Sequence, residues 1–382
     1  MSDGAGADRG KAETIPVGTQ LSPGQDVWTP SVPPGPAAAV LRRPERASRP
    51  PSLSPPVTRE RWVGRYKILA SLGSGAMAEV FLGSVDSIGG FERRFAIKVV
   101  HRRLLKDRQF VDMLLDEARI AGLVNHANVV SVHDVHHSGD QLYLVMDYVE
   151  GVTLAELAKS LWQGGGVVPI EITFRIALDV LSALEAIHDL RDAEGHLLDV
   201  VHRDVSPRNI LVGVDGVCRL TDFGIARAQG RLTETPEGVL KGTLGYVSPE
   251  AITGRSVDLR ADLYSLGVIL WELLARRRLF GAAGGRLRPT DPRLATPART
   301  VEDPLLVNPD IPRGLADVCL KALEPEPTQR YSSAAEMGTA IEDAMNAAGI
   351  RDVGPRLTGR LVSALERMKR MAAKSRPSAI DP

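Results

Sequence analysis

Several things are scarce in this 382-residue chain, and each scarcity removes a class of protein. Cysteine occurs only at Cys218 and Cys319, far apart, which argues against a disulfide scaffold or a Cys-rich zinc site. A reducing, cytoplasmic setting is the resulting expectation. Neither charge sign dominates, with 47 Lys and Arg against 47 Asp and Glu, so net charge gives no pull toward nucleic acid or membrane. The N-terminus lacks the apolar core of a secretory signal. The most apolar segment, LYSLGVILWELLA from Leu263 to Ala275, is short and contains Glu272, so it reads as a buried helix and not as a transmembrane segment. A soluble protein is expected.

Proline is unevenly spread. Eleven of the 26 prolines lie between Pro16 and Pro56, mixed with Ser, Ala, Gly and Arg. Such a stretch buries too little apolar surface to offset its ordering entropy, so residues 1–60 are expected to be disordered. The pairs Pro33-Pro34, Pro50-Pro51 and Pro55-Pro56 read as spacer, with docking motifs as the alternative.

From Tyr66 the patterning becomes regular. YKILASLG, AEVFLGSV, RRFAIKVV, VVSVHDVHH and QLYLVMDYV have strand character. FVDMLLDEARIAGLV has helical spacing through Phe110, Leu114, Ala118, Ala121 and Leu123. Beyond Leu154 the patterns are mainly helical. Strands followed by helices predict an α+β chain with two lobes. The expected boundaries are a lobe of about 61–149, a second of about 150–346, and a basic tail over 347–382. In that tail Leu357, Leu361, Leu365, Met368 and Ala372 recur at helical spacing, giving a basic amphipathic helix. It would either pack on the domain or stand in solvent, with acidic lipid or a partner as the alternative. The stretch 281–309, rich in Gly, Pro and Arg, reads as a surface insert.

Four local features carry chemistry. LGSGAMAEVFLG sets Gly73 and Gly75 in a strand-turn-strand, where glycines let backbone N–H groups approach phosphate oxygens; the third glycine of a GxGxxG pattern is Ala78. Lys98 in FAIKVV points to the face opposite Ile97 and Val99. On the following helix Glu117 or Asp116 could hold its ammonium. Glu117 is preferred because it lies one turn before Ala121 on the apolar edge. VVHRDVSPRNILV then places Asn209 five residues after Asp204, and LTDFGIA supplies Asp222.

In this order, followed by GTLGYVSPE, these motifs make the chain resemble a eukaryotic-type (Hanks-type) protein Ser/Thr kinase of the bacterial kind, over roughly Tyr66 to Asn346. The resemblance implies a bilobal protein kinase fold, a strand-rich N-lobe with one regulatory helix above a helical C-lobe. It implies ATP and Mg²⁺, with Mn²⁺ as the alternative, and protein substrates bearing Ser or Thr, with no nucleic acid and the oligomeric state open. By resemblance Asp204 handles the substrate hydroxyl proton, Asn209 and Asp222 hold metal, and Lys98, fixed by Glu117, meets the α- and β-phosphates. Leu72, Gly73, Ser74 and Gly75 would cover the phosphates. Val80, Ala96 and Leu211 would enclose the adenine, with Met146 as gatekeeper and Asp147 to Val149 as hinge. Arg203 resembles the arginine of kinases switched on by loop phosphorylation, and Thr233 and Thr235 are the candidate phosphosites. Thr243 matches a threonine that contacts the catalytic Asp. Glu250 with Arg330 would form a buried ion pair, and Asp262 would brace the catalytic loop.

One position departs from the pattern. Two residues after Asp204, where most Ser/Thr kinases carry lysine, stands Ser206. Arg208, four after Asp204, offers a guanidinium that could reach the same phosphate, as tyrosine kinases often arrange it. Tyr246 and the residues around it keep to the Ser/Thr pattern. The expected function is a protein Ser/Thr kinase with activation-loop autophosphorylation. The alternatives are a pseudokinase that binds partners, and perhaps ATP, without transfer, and a small-molecule phosphotransferase.

Overall fold

The computed structural model describes residues 61–86, 92–138, 140–223, 244–280 and 301–374, with side chains described through Lys369. The expected disordered segment, Thr233, Thr235, Thr243 and positions 281–300 of the predicted insert lie outside the described residues.

The first lobe is a six-stranded antiparallel sheet of β1 (Trp62–Val63), β2 (Tyr66–Ser74), β3 (Ala78–Asp86), β4 (Glu92–Val100), β5 (Val132–Ser138) and β6 (Gln141–Asp147). Its order is β1-β2-β3-β4-β6-β5. The register places Val80 opposite Lys98, Leu82 opposite Ala96, and Ala96 opposite Met146. Alternate residues of a strand share a face. Val80, Ala96 and Met146 thus gather with Val130 and Val132 into one apolar surface that Val149 and Leu211 complete. Between β4 and β5 runs α1 (Arg108–Leu123), started by the Asp107 carboxylate accepting from the Phe110 N–H at 3.2 Å. Its buried stripe of Phe110, Leu114, Ala118 and Ala121 carries Glu117 inward with it.

The second lobe begins with β7 (Gly151–Thr153), which pairs with β8 (Ile210–Gly213) and β9 (Cys218–Leu220) in a small sheet. The helix α2 (Leu154–Gln163) opens on a capping box between Thr153 and Glu156. Helices α3 (Ile170–His188), α4 (Pro249–Ile252), α5 (Arg260–Ala275), α6 (Pro304–Val307), α7 (Arg313–Ala322), α8 (Ala334–Ala347) and α9 (Gly354–Lys374) follow. The short apolar run containing Glu272 is most of α5, whose residues from Ala261 to Ala275 are all buried. A helix apolar on every side belongs in a core, and α3 and α7 pack against it. No helix among the described residues is long and apolar enough to cross a membrane.

The tail is where the sequence pattern and the structure part. Residues 354–374 are helical and packed on the second lobe. The buried stripe, however, is Thr358, Val362 and Leu365, while Leu357 and Met368 are exposed. The helix is rotated because it meets the β8–β9 turn at glycine. A Cβ on Gly359 would lie 2.5 Å from the Val214 carbonyl oxygen, and one on Gly216 would overlap the Pro355 carbonyl. Arg175, paired with Asp352 at 3.0 Å, and Lys369, 3.4 Å from Glu156, hold the flanks of α9.

Candidate active site

A buried acid organises the loop around Asp204, and a second anchors the segment around α4. Asp262, at the start of α5, accepts from the His202 and Arg203 backbone N–H groups, each at 2.8 Å, and pairs with the His188 ring at 2.9 Å. This fixes Arg203 at φ 65°, a left-handed backbone that costs a non-glycine residue roughly 1–3 kcal/mol. In α4, Glu250 forms a two-pronged ion pair with Arg330, both N···O distances 2.8 Å, fully enclosed. Both placements agree with the architecture read from the motifs.

Asp204 and Asn209 are one unit. The Asn209 amide donates to the Asp204 carbonyl at 2.9 Å and to its carboxylate Oδ2 at 2.8 Å. That leaves the asparagine Oδ1 as an acceptor. The Asn209 carbonyl accepts from the Thr221 N–H at 2.9 Å, which ties this loop to the strand end that presents Asp222. Asp222 itself sits at φ 59°. Behind it the Phe223 ring packs on His202, ring centroids 5.1 Å apart.

Lys98 closes the site from the sheet side. Its ammonium lies 2.6 Å from Asp222 Oδ1. Burial works to lower the lysine's pKa, but the charges of Asp222, Glu117 and Asp204 outweigh it and hold the ammonium above its ordinary value. Glu117 is buried and lines the same small cavity as Lys98, Ala121, Met146, Asp222 and Phe223. Asp116, the competing acid, is exposed and pairs with Arg119 at 3.1 Å. The chain therefore brings Lys98, Glu117, Asp204, Asn209 and Asp222 together from four separate segments: β4, α1, the loop before β8 and the residues after β9.

The residues expected on the nucleotide side also converge. Val80, Ala96, Met146, Val149 and Leu211 share one apolar cluster, and the Asp147 N–H is held by the Ser131 carbonyl at 3.0 Å. Leu72, Gly73, Ser74 and Gly75 lie exposed at the end of β2 and in the turn after it. A Cβ at Gly73 would meet nothing within 4 Å, and at Gly75 only the Ala78 carbonyl oxygen at 3.6 Å. The fold itself does not demand glycine at either place.

Ser206 and Arg208 behave differently. Ser206 is buried, with the neighbouring Pro207 carbonyl accepting from the Ala155 N–H of α2 at 2.8 Å. Arg208 is exposed and, among the described residues, has no hydrogen-bond or ion-pair partner. Its charge bears on Arg278, whose pKa is lowered by burial and by Arg208. Arg278 in turn donates to Glu272 at 2.7 Å and to the Tyr246 hydroxyl. The motifs gave no sign of this Tyr246–Glu272–Arg278 knot; only the acid inside an apolar helix pointed to it.

The description "Protein kinase domain" matches residues 66–343. The chain belongs to that family. It is 34% identical over 77% of its length to the tyrosine-protein kinase MasK of Myxococcus xanthus, and 34% identical over 75% to the serine/threonine-protein kinase PrkC of Bacillus subtilis. Pkn1, a serine/threonine-protein kinase of Myxococcus xanthus, is also 34% identical, over 74%. The chain spans 46%, 42% and 38% of these relatives, less than half of each. The Mycobacterium tuberculosis PknI kinase domain superposes with a TM-score of 0.55 at 26% identity, covering 75% of this chain and 97% of that one. The bilobal kinase fold expected from the motifs is the fold of this family.

Proposed function

We propose that this chain is a protein serine/threonine kinase that moves the γ-phosphoryl group of ATP to Ser or Thr hydroxyls of protein substrates. The observation that carries this reading is a single constellation. Lys98 and Asp222 stand 2.6 Å apart, and Asp204 and Asn209 are joined at 2.8 Å on the loop beside them.

The residues fit the groups that this chemistry needs. The backbone at Gly73 and Gly75 is open to close approach by phosphate oxygens, and the cluster of Val80, Ala96 and Leu211 suits a flat apolar base. Asp222 and Asn209 offer oxygen donors suited to a hard divalent cation. Among the described residues no cluster of three or more His, Cys, Asp or Glu side chains could cage a metal. A site of few protein ligands completed by phosphate and water is how Mg²⁺ is usually held, and Mn²⁺ accepts the same octahedral oxygen set.

Bound ATP and its cation supply the phosphoryl group and neutralise its charge. The chain's own residues do the rest. Asp204 accepts the substrate hydroxyl proton, and Asn209 fixes the orientation of its carboxylate. Lys98, kept charged by its acidic neighbours, steadies the phosphates, and Glu117 keeps it in place. Arg208 supplies the positive charge that Ser206 lacks. Thr233 or Thr235 receives an activating phosphate, which Arg203 pairs.

A second reading concerns the acceptor. The likeness to MasK, named a tyrosine kinase, and the exposed Arg208 favour tyrosine; the likenesses to PrkC and Pkn1 favour serine or threonine. Incubating the protein with Mg-ATP and hydrolysing the product to its phosphoamino acids decides. Phosphoserine or phosphothreonine supports the proposal, and phosphotyrosine alone overturns its acceptor.

A further inference from the structure

The turn between β2 and β3 gives three consecutive carbonyls to one neighbouring segment. His101 Nε2 lies 3.0 Å from the Gly75 carbonyl oxygen. Arg103 Nη2 donates to the Ala76 carbonyl at 2.6 Å, and the His101 backbone N–H donates to the Met77 carbonyl at 2.9 Å. A carbonyl only accepts, so Nε2 is the protonated nitrogen of His101 in this contact. The Met77 side chain adds an apolar hold, packed against the cluster of Val100, Phe110 and Leu114.

The donors come from a particular place. His101 to Arg103 leave β4 directly after the strand that carries Lys98, and lead through a 3-10 turn (Arg102–Lys106) into α1, which carries Glu117. One short linker therefore touches the glycine turn while its two ends hold the lysine and its acid.

We propose that His101 and Arg103 are positioning residues that hold the glycine turn in the orientation that receives phosphate. The reason lies in the peptide bond. Each trans peptide plane sets its N–H opposite its C=O. Fixing the Gly75 and Ala76 carbonyls on the linker thus aims the Ala76 and Met77 N–H groups the other way. Among the described residues neither of these amides has a hydrogen-bond partner. Successive N–H groups presented together form a concavity that suits an anion. A glycine-bearing turn left to itself loses this order, and ligand binding then has to supply it.

This inference rests on the reading of the turn as phosphate-receiving, and its test separates the two. Equilibrium affinities for Mg-ATP and for adenosine, which has no phosphates, are measured on wild type, His101→Ala, Arg103→Ala and the double variant. Each single change is expected to weaken ATP by about three- to tenfold, the size of one or two lost hydrogen bonds, and the double change by more. Adenosine affinity stays within about twofold, because its site is the apolar cluster and not the turn. Arg103→Lys, which keeps a donor, recovers at least half of the logarithmic loss. Equal losses for ATP and adenosine, or no loss for ATP, overturn the positioning role. If wild type holds ATP no more tightly than adenosine, the phosphate-receiving turn itself is wrong, and this inference falls with it.

Discussion

Lys98 Nζ and Asp222 Oδ1 meet at 2.6 Å although 124 residues separate them in the chain. The contact joins the strand lobe to the segment that follows the catalytic loop. Asp222 makes it from a left-handed backbone at φ 59°. Such conformations persist where the surroundings over-determine them. Here Lys98 holds one side and the Phe223–His202 ring contact the other.

Lys98→Met removes the ammonium paired with Asp222 and leaves the apolar stem. Transfer, read as kcat/KM for ATP, is expected to fall on the order of a hundredfold or more, the scale of a lost charged contact to the transition state. The melting temperature should move far less than the rate. A variant within threefold of wild type contradicts the assignment.

Arg208→Ala tests the departure at Ser206. The exposed guanidinium has no partner to lose among the described residues, so folding should be unaffected. Turnover should drop about ten- to a thousandfold. An unchanged rate means the buried Ser206, or water, is enough at that place.

His202 gives a pH dependence of definite sign. Complete burial lowers its pKa below the ordinary value of about 6.5. The folded protein therefore refuses a proton that the unfolded chain accepts. Its contribution is fully present above about pH 6.5 and is lost as pH falls below that, by at most about 1.4 kcal/mol per pH unit. Denaturant midpoints measured from pH 7.5 to 5 should fall more steeply for wild type than for His202→Phe, which keeps a ring against Phe223. Parallel curves contradict this account.

Gly359→Val tests the seating of α9. Its Cβ would press on the Val214 backbone 2.5 Å away, which cannot swing aside as a side-chain tip does. Overpacking of this kind typically costs about 1–3 kcal/mol. The expected result is a lower melting temperature and faster protease cleavage beyond Ala347. A melting temperature equal to wild type would show that the close approach carries no energy.

Much of this was visible in the chain itself. The five strand-like runs of the first lobe and the helix of Glu117 follow from periodicity, and the choice of Glu117 over Asp116 followed from its place on the apolar edge. The run from Leu263 to Ala275 announces a buried helix because nothing in it is polar enough for solvent except Glu272, and that acid is met by the buried Tyr246 and the half-exposed Arg278. What periodicity could not give was anything set by a distant backbone. The face of α9 is chosen where Gly359 meets the β8–β9 turn and Gly216 of that turn meets Pro355, so the apolar repeat through Leu357 and Met368 misplaces it. The pairing of Lys98 with Asp222 joins residues 124 positions apart, and the contacts of His101 and Arg103 fall on carbonyls, which leave no mark in a side-chain pattern.

The most direct test of the central claim is phosphoryl transfer from Mg-ATP to a generic Ser/Thr protein substrate by wild type and by Asp204→Asn, with ATP affinity measured on both. The account predicts transfer by wild type, a loss of at least about a thousandfold in the variant, and ATP affinities that agree within a few-fold. Equal transfer by the two proteins, or none from wild type even with a pre-phosphorylated loop, would contradict it.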